Sequence, residues 1–271
     1  MTDFFGLCKK EWLESVLWKQ MMTMDYESTL RNCGPYVRIG LEKRLITERK
    51  IMNVQLIYLA AGNSRRFGSN KLFYEIDGRP MYQHLLERLV SICGRHENWR
   101  LRVVSQYETL LHQVGELWPE VSFMERIYSP DSVKGVSYSV RAGISGVEDV
   151  LSAAPVLDPE KLSASENAPA KAVLPDAYAF FVADQPWLSE KTAEEFLMEM
   201  EAAKAPLGSV CFEGQPGNPT WFSGEFLPEL LALEGDKGGR AVLRRHEALV
   251  RWFEVKEKRE LMDLDLPGQV V

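Results

Sequence analysis

The side chains best suited to chemistry are concentrated in one stretch, Leu59-Ala60-Ala61-Gly62-Asn63-Ser64-Arg65-Arg66-Phe67-Gly68-Ser69-Asn70-Lys71. Ala60, Ala61 and Gly62 are small enough to let the backbone approach a ligand closely, and successive free N–H groups in such a loop form an anion-binding nest. Arg65, Arg66 and Lys71 supply compensating charge for something strongly anionic. The plainest candidate is a nucleoside triphosphate. Spacing excludes two better-known phosphate loops. A Walker loop needs Gly-x-x-x-x-Gly-Lys-Ser/Thr, but residues 63–67 separate Gly62 from Gly68 and no Lys follows Gly68 directly. A dinucleotide fingerprint needs Gly-x-Gly-x-x-Gly, and Asn63-Ser64 occupy the place of its second glycine.

Three further segments carry chemistry. Asp184 follows the apolar run Tyr178-Ala179-Phe180-Phe181-Val182-Ala183, so it stands at the carboxyl tip of a buried strand, where open α/β sheets bind ligands. A desolvated carboxylate there needs a partner or a cation. Magnesium is the natural cation, a hard ion held by one or two carboxylates plus substrate phosphates. The competing reading is an aspartate that caps the next turn. Asp236, in Glu234-Gly235-Asp236-Lys237-Gly238-Gly239-Arg240, precedes a helical pattern and on residue type alone is a helix-start residue stabilised by the dipole. Ser137 and Ser139, within Lys134-Gly135-Val136-Ser137-Tyr138-Ser139-Val140-Arg141-Ala142-Gly143, suit either a pocket wall or the start of a Ser-rich helix.

The pattern Leu-Ala-Ala-Gly-x-Ser-x-Arg-x-Gly-x-x-Lys resembles the signature loop of the MobA-like nucleotidyltransferases, and its Ala-Ala-Gly form is most similar to molybdenum cofactor cytidylyltransferases. The serine segment resembles the family's Gly-x-Ser-x-Ser-Leu-x-x-Gly, with Val140 in place of Leu. Asp184-Gln185-Pro186 matches its metal-carrying Asp-Met-Pro or Asp-Gln-Pro. Residues 214–223 are close to its Gly-Asn-Pro-x-Leu-Phe, and 235–240 to its Gly-Asp-x-Gly-Ala-Arg, which makes Asp236 a second metal-facing carboxylate. Residues 263–267 resemble its closing Asp-Ile-Asp-Thr-Pro, with Leu266 replacing Thr, and read as structural.

The resemblance implies an enzyme that moves a nucleotidyl group from CTP to the terminal phosphate of molybdenum cofactor and releases pyrophosphate. The backbone of 62–68 with Arg66 and Lys71 would take phosphate charge, and Asp184 with Asp236 would hold Mg2+. Leu59, Ala60, Ala61, Gly62, Ser64, Gly68, Ser137 and Ser139 would complete the nucleotide site. No side-chain base is required, because an acceptor phosphate is already ionised near neutrality. A molybdenum hydroxylase or its chaperone is the implied partner. Two other readings stand beside this one: a nucleotidyltransferase using GTP or a sugar or alcohol phosphate, and a non-catalytic nucleotide-binding or cofactor-handover subunit. The presence of both Lys71 and Asp184 speaks against the latter.

The elements that must position these residues alternate between strand and helix. Residues 54–58, 101–105, 178–183, 209–212 and 250–255 are β-branched or apolar runs, with helical patterns over 81–89, 109–117, 193–200, 227–233 and 241–246 between them. That alternation predicts a three-layer α/β/α sandwich with a mostly parallel sheet, of the nucleotide-diphospho-sugar transferase type by resemblance. The domain is expected over 51–271, with an Ala/Pro/Ser-rich surface insertion at about 151–176. Residues 1–50 read as an extension outside it; an apolar helical face there would alternatively suit a docking segment.

Composition bounds the rest. The 271 residues are 45% hydrophobic and 26% charged, an ordinary globular balance. A net charge of -7 argues against nucleic acid as a partner. Cys8, Cys33, Cys93 and Cys211 are scattered without a Cys-x-x-Cys pair, which fits reduced thiols in a cytoplasmic protein better than zinc or a disulfide framework. No segment has the roughly twenty apolar residues of a membrane span.

Overall fold

The structure, a computed structural model, describes residues 52–63, 70–144 and 174–264. Strand β1 (Val54–Leu59) enters the core and is followed, after the signature loop, by a 3-10 turn at Lys71–Phe73. A small hairpin, β2 (Glu75–Ile76) and β3 (Arg79–Pro80), turns at Asp77 and Gly78, both at positive φ (50° and 75°) as a tight two-residue hairpin turn demands. Helix α1 (Met81–Arg95), β4 (Trp99–Ser105), α2 (Glu108–Leu117), β5 (Met124–Tyr128) and α3 (Val136–Gly143) follow. The second half contains β6 (Ala177–Val182), α4 (Glu190–Ala202), β7 (Leu207–Phe212), β8 (Gln215–Ser223), α5 (Leu227–Leu231), α6 (Arg240–Arg245) and β9 (Val250–Glu254).

The main sheet has seven strands in the order β5-β4-β1-β6-β8-β7-β9. The pairings β5/β4, β4/β1, β1/β6 and β7/β9 are parallel, and only β8, antiparallel to both β6 and β7, runs the other way. This is the mostly parallel sheet that the alternation of strand and helix predicts.

Side-chain alternation along the central strands builds the two cores. Leu56 and Tyr58 of β1, with Ala179 and Phe181 of β6, face α1, α2 and α4 and pack against Leu85, Leu89, Leu110 and Phe196. Ile57 of β1 and Tyr178 and Phe180 of β6 point the opposite way, into a cluster with Val140 of α3, Leu230 of α5 and Val242 of α6. Both faces of β1 and β6 are therefore apolar, as continuous hydrophobic runs in a parallel sheet require. Ser189 caps α4 through an Oγ that accepts the Thr192 N–H at 3.1 Å.

Two strands do not follow from the sequence pattern. β5 is an edge strand whose residues, Met-Glu-Arg-Ile-Tyr, are half-buried or exposed, so it lacks the apolar run of its neighbours. β8 carries Pro216 and Pro219 although it lies inside the sheet, a place proline ordinarily avoids. Its pairing with β6 spans only Thr220 to Ser223, and its ladder with β7 is shifted between Ser209 and Cys211, so the prolines fall where the ladder is incomplete. His84, buried on α1, places Nε2 3.0 Å from the Ile76 carbonyl and ties the helix to the hairpin. Among the described residues no helix is long and apolar enough to cross a membrane. Cys93 and Cys211 are buried free thiols. The insertion is described only from residue 174 onward, where Asp176 Oδ2 accepts the Asn53 N–H at 3.0 Å beside the start of β6.

Candidate active site

β1 and β6 are parallel neighbours in which Leu59 pairs with Val182, so the segments leaving them emerge side by side at the carboxyl edge of the sheet. One carries the signature loop, the other Asp184. The first residues of the loop are held from outside. Ser105 Oγ donates to the Ala60 carbonyl at 2.8 Å, Gln106 Nε2 to the Ala61 carbonyl at 2.6 Å, and Tyr107 Oη to the Gly62 carbonyl at 2.9 Å. Three consecutive side chains leaving β4 thus occupy three consecutive carbonyls. With those oxygens satisfied, the backbone is fixed at the point where close approach to an anion needs it rigid. Gln106 also donates to Asn63 Oδ1 at 2.9 Å, and Asn63 Nδ2 reaches the Val133 carbonyl at 3.0 Å.

The loop closes on Lys71, at the start of its 3-10 turn and capped by Asn70, whose side chain accepts the Leu72 N–H at 3.1 Å. Lys71 is buried, and its Nζ lies 2.9 Å from Asp184 Oδ2, whose side chain remains 27% exposed toward the cleft. Beneath this pair lies Tyr58. Burial first, and then the negative charge of Asp184, push its hydroxyl well above the ordinary tyrosine value. It stays protonated and donates to the Tyr82 carbonyl at 2.7 Å.

Leu59, Ala61, Gly62, Lys71, Ser139, Asp184 and Asp236 line one cavity of about 250 Å³. Ala60 and Ser137 are buried but do not line it; Ala60 packs in the core below, and Ser137 gives its backbone N–H to the Gly235 carbonyl at 3.1 Å. Ser64, Arg66 and Gly68 lie outside the described residues. Ser139 reaches the cavity at the end of a hydroxyl relay, donating to Ser132 Oγ at 2.8 Å, which donates to Ser129 Oγ at 2.9 Å. Gly135 sets the depth of this wall. Its φ is 148°, and a Cβ there would sit 2.4 Å from the Gly235 carbonyl oxygen. That contact brings the exposed Asp236 turn against the serine helix.

A second cavity of about 330 Å³ adjoins the first, sharing Leu59, Val136, Val182 and Asp236, and is lined by Asn218, Thr220, Lys237, Arg240 and Arg244. Its cations come from both ends of the short helix α6 and from the turn before it.

Sequence reasoning missed Gln106, Tyr107, Asn63 and Ser132. A signal for the first two exists: they are polar residues immediately beyond a predicted strand, the same rule that selects Asp184. Among the described residues no group of three or more His, Cys, Asp or Glu could hold a metal ion unaided. Asp184 and Asp236 nevertheless present hard oxygen donors to the same cavity, and a cation, Lys71 Nζ, already faces Asp184. The two carboxylates suit a hard divalent ion that takes its remaining ligands from phosphates and water.

The sequence pattern of the MobA-like NTP transferase domain matches residues 56–249. The chain belongs to that family. Its chemical class is therefore nucleotidyl transfer from a nucleoside triphosphate. Purine catabolism protein PucB of Bacillus subtilis is 26% identical over 218 residues, covering 79% of this chain and 92% of PucB. Among solved structures, Rv0371c from Mycobacterium tuberculosis H37Rv superposes with a TM-score of 0.56 at 18% identity over 79% of this chain and 94% of that one. The same protein in complex with manganese gives 0.50 at 16%, over 76% and 89%. The 4-diphosphocytidyl-2C-methyl-D-erythritol synthase of Anaerococcus prevotii gives 0.53 at 11%, over 81% and 93%. At such identities these structures establish the fold.

Proposed function

We propose that this MobA-like transferase moves the cytidylyl group of CTP onto the terminal phosphate of molybdenum cofactor. The observation that carries the nucleotidyl part is the meeting of the Ala61-Gly62 loop, Lys71 and Asp184 around one cavity at the ends of β1 and β6. The cytidylyl part is supported by the Ala-Ala-Gly form of the loop, which resembles the cytidylyltransferases, and a solved neighbour of the same fold bears a diphosphocytidyl product in its name.

In this reading an oxygen of the acceptor phosphate attacks the α-phosphorus of CTP, the bond from that phosphorus to the β-phosphate bridge breaks, and pyrophosphate leaves. The protein's share is placement and charge. The loop beginning at Ala61, with Arg66 and Lys71, takes the triphosphate. Ala61 and Ser139 bound the base and ribose. The adjoining cavity with Asn218, Arg240 and Arg244 takes the anionic acceptor, so the two substrates meet beside Asp236, which lines both cavities. Asp184 and Asp236 would hold a divalent ion, Mg2+ in this proposal, which when bound would offset the negative charge on the phosphates. The manganese complex of Rv0371c supports a divalent ion in this fold.

The test is a competition between CTP and GTP at equal concentration, with molybdenum cofactor as acceptor and the dinucleotide products separated. Ala61 is 5% exposed and packed, so a purine would have to displace backbone. Overpacking of that kind costs about 1–3 kcal/mol, roughly a 5- to 150-fold preference for CTP. A product dominated by the guanine form overturns the cytidylyl assignment. No product with either nucleotide points to another phosphorylated acceptor or to a non-catalytic role.

A further inference from the structure

The family match ends at residue 249, yet residues 259–264 return to the foot of the site. The Leu264 N–H donates to the backbone carbonyl of Asp184 at 2.9 Å. Gln185, the next residue along and 1% exposed, donates through Nε2 to Asp263 Oδ1 at 2.9 Å and to the Leu261 carbonyl at 3.2 Å. The Leu264 side chain is fully buried against Ile76 and Met81, with Trp187 packed on the same cluster. Ile76 belongs to the hairpin that follows Lys71, and Trp187 to the segment that follows Asp184. One leucine therefore bridges the two segments whose charges meet in the cleft. From the other side Arg88 of α1 holds the Pro186 and Leu188 carbonyls at 2.7 and 2.6 Å.

This arrangement has a specific consequence. β6 ends at Val182, so the sheet ladder does not reach the Asp184 carbonyl. A carboxylate that must present its oxygens at a fixed place depends on its backbone being held, and the hydrogen bond from Leu264 does that holding. We propose that Asp263 and Leu264 are positioning residues for Asp184, and that the 259–264 segment is a strap that sets this carboxylate for cation binding. The inference rests on the reading above that Asp184 holds a divalent ion.

The test uses the full chain. Free Mn2+ is followed by electron paramagnetic resonance during titration, with and without CTP, and pyrophosphate release is measured against Mg2+ concentration. Loss of a group that orients a metal ligand typically weakens metal affinity or activity by about 10- to 100-fold, and that is the range expected for Asp263→Ala in both measurements. Asp263→Asn keeps an oxygen that accepts from Gln185, so it should recover most of the loss, which a general loss of packing would not allow. Gln185→Leu removes the donor while keeping bulk and should weaken Mn2+ binding in the same way; it decides the matter if a thermal melt shows Asp263→Ala to be unfolded. Wild-type Mn2+ binding in a folded Asp263→Ala or Gln185→Leu protein overturns the strap. Asp184→Ala separates the two levels. If that variant binds Mn2+ as the wild type does, the metal reading falls and the strap with it. If it loses Mn2+ while Asp263→Ala does not, the strap alone is wrong.

Discussion

Replacing Lys71 by Met leaves the Asp184 carboxylate without the cation that faces it at 2.9 Å. At an effective dielectric of about 20 two unit charges that far apart attract by about 6 kcal/mol, most of which offsets the water both groups give up. The side chains are 10% and 27% exposed, between the surface case, worth at most about 1 kcal/mol, and the fully buried case, where loss of one partner costs about 3–5 kcal/mol. A destabilisation of about 2 kcal/mol is expected for Lys71→Met, lowering the melting temperature by about 4–8 °C for a domain of this size. Asp184→Asn should destabilise by a similar amount, since it leaves the buried Lys71 beside a neutral amide. The double variant should then be more stable than the two losses added together, with a coupling of about 1–2 kcal/mol. Turnover should behave differently. Both single variants are expected to lose pyrophosphate release, and the double variant to recover none, because pairing restores stability but not the charges that serve phosphate and cation. Chemical denaturation of the four proteins and a steady-state assay on each supply the cycle. Additive stabilities would show that the pair does not interact in solution, and a turnover near wild type in Asp184→Asn would remove Asp184 from the site.

Three further outcomes are expected. Gln106→Leu removes the donors that hold the Ala61 carbonyl and Asn63; a buried unsatisfied carbonyl costs about 1–3 kcal/mol, so KM for the triphosphate should rise while the melt falls only modestly, and an unchanged KM would show that the loop start is rigid without it. Gly135→Ala puts a Cβ 2.4 Å from backbone at φ 148°, which should cost about 1–3 kcal/mol of stability and impair turnover by displacing the Asp236 turn; a protein of normal stability and activity would refute the close packing. Removal of residues 1–51, leaving Met52 and Asn53 with their bonds to Asn98 and Asp176, should change stability by no more than about 0.5 kcal/mol and leave kcat/KM near that of the full chain. A folded but inactive product would make that segment part of the working structure.

How far the fold was legible depended on where each strand sits. β1 and β6 are covered by helices on both faces, so they are written as unbroken apolar runs and announce themselves along with their carboxyl-end ligands. β5 needs no such run because it is an edge, and β8 hides behind two prolines that its interrupted ladder tolerates. The site divides the same way. The Ala60-Ala61-Gly62 loop, Lys71 and Asp184 are local patterns with a physical reason for each residue type. Gln106 and Tyr107 are ordinary polar residues in sequence, and their role exists only because β4 lies beside β1 and delivers them to the loop carbonyls. In sequence the closing segment reads as structural for the same reason. Nothing in Asp263 or Leu264 indicates that the chain returns to Asp184.

Nucleotidyl transfer asks a protein for position and charge rather than for a reactive side chain, and both can be traced to the register of this sheet. Pairing of Leu59 with Val182 releases the anion loop and the carboxylate at one level, so a single cavity receives a donor group from each. A net charge of -7 opposes the approach of a triphosphate only weakly, because charges more than about 10 Å apart are largely screened at ordinary ionic strength. The cations that line the cavities lie within that distance of any ligand bound there. Lys71 stands in the first cavity and Lys237, Arg240 and Arg244 in the second. The first cleft sets Lys71 against Asp184 and Asp236, while the second is locally basic, and Asp236 stands at their junction. Exchange of Arg240 and Arg244 for Gln would remove positive charge from the second cleft alone. It should weaken the anionic acceptor and leave KM for the triphosphate largely unchanged, a split that steady-state kinetics with each substrate varied in turn would reveal. An equal loss for both substrates would mean that the two clefts do not divide donor from acceptor.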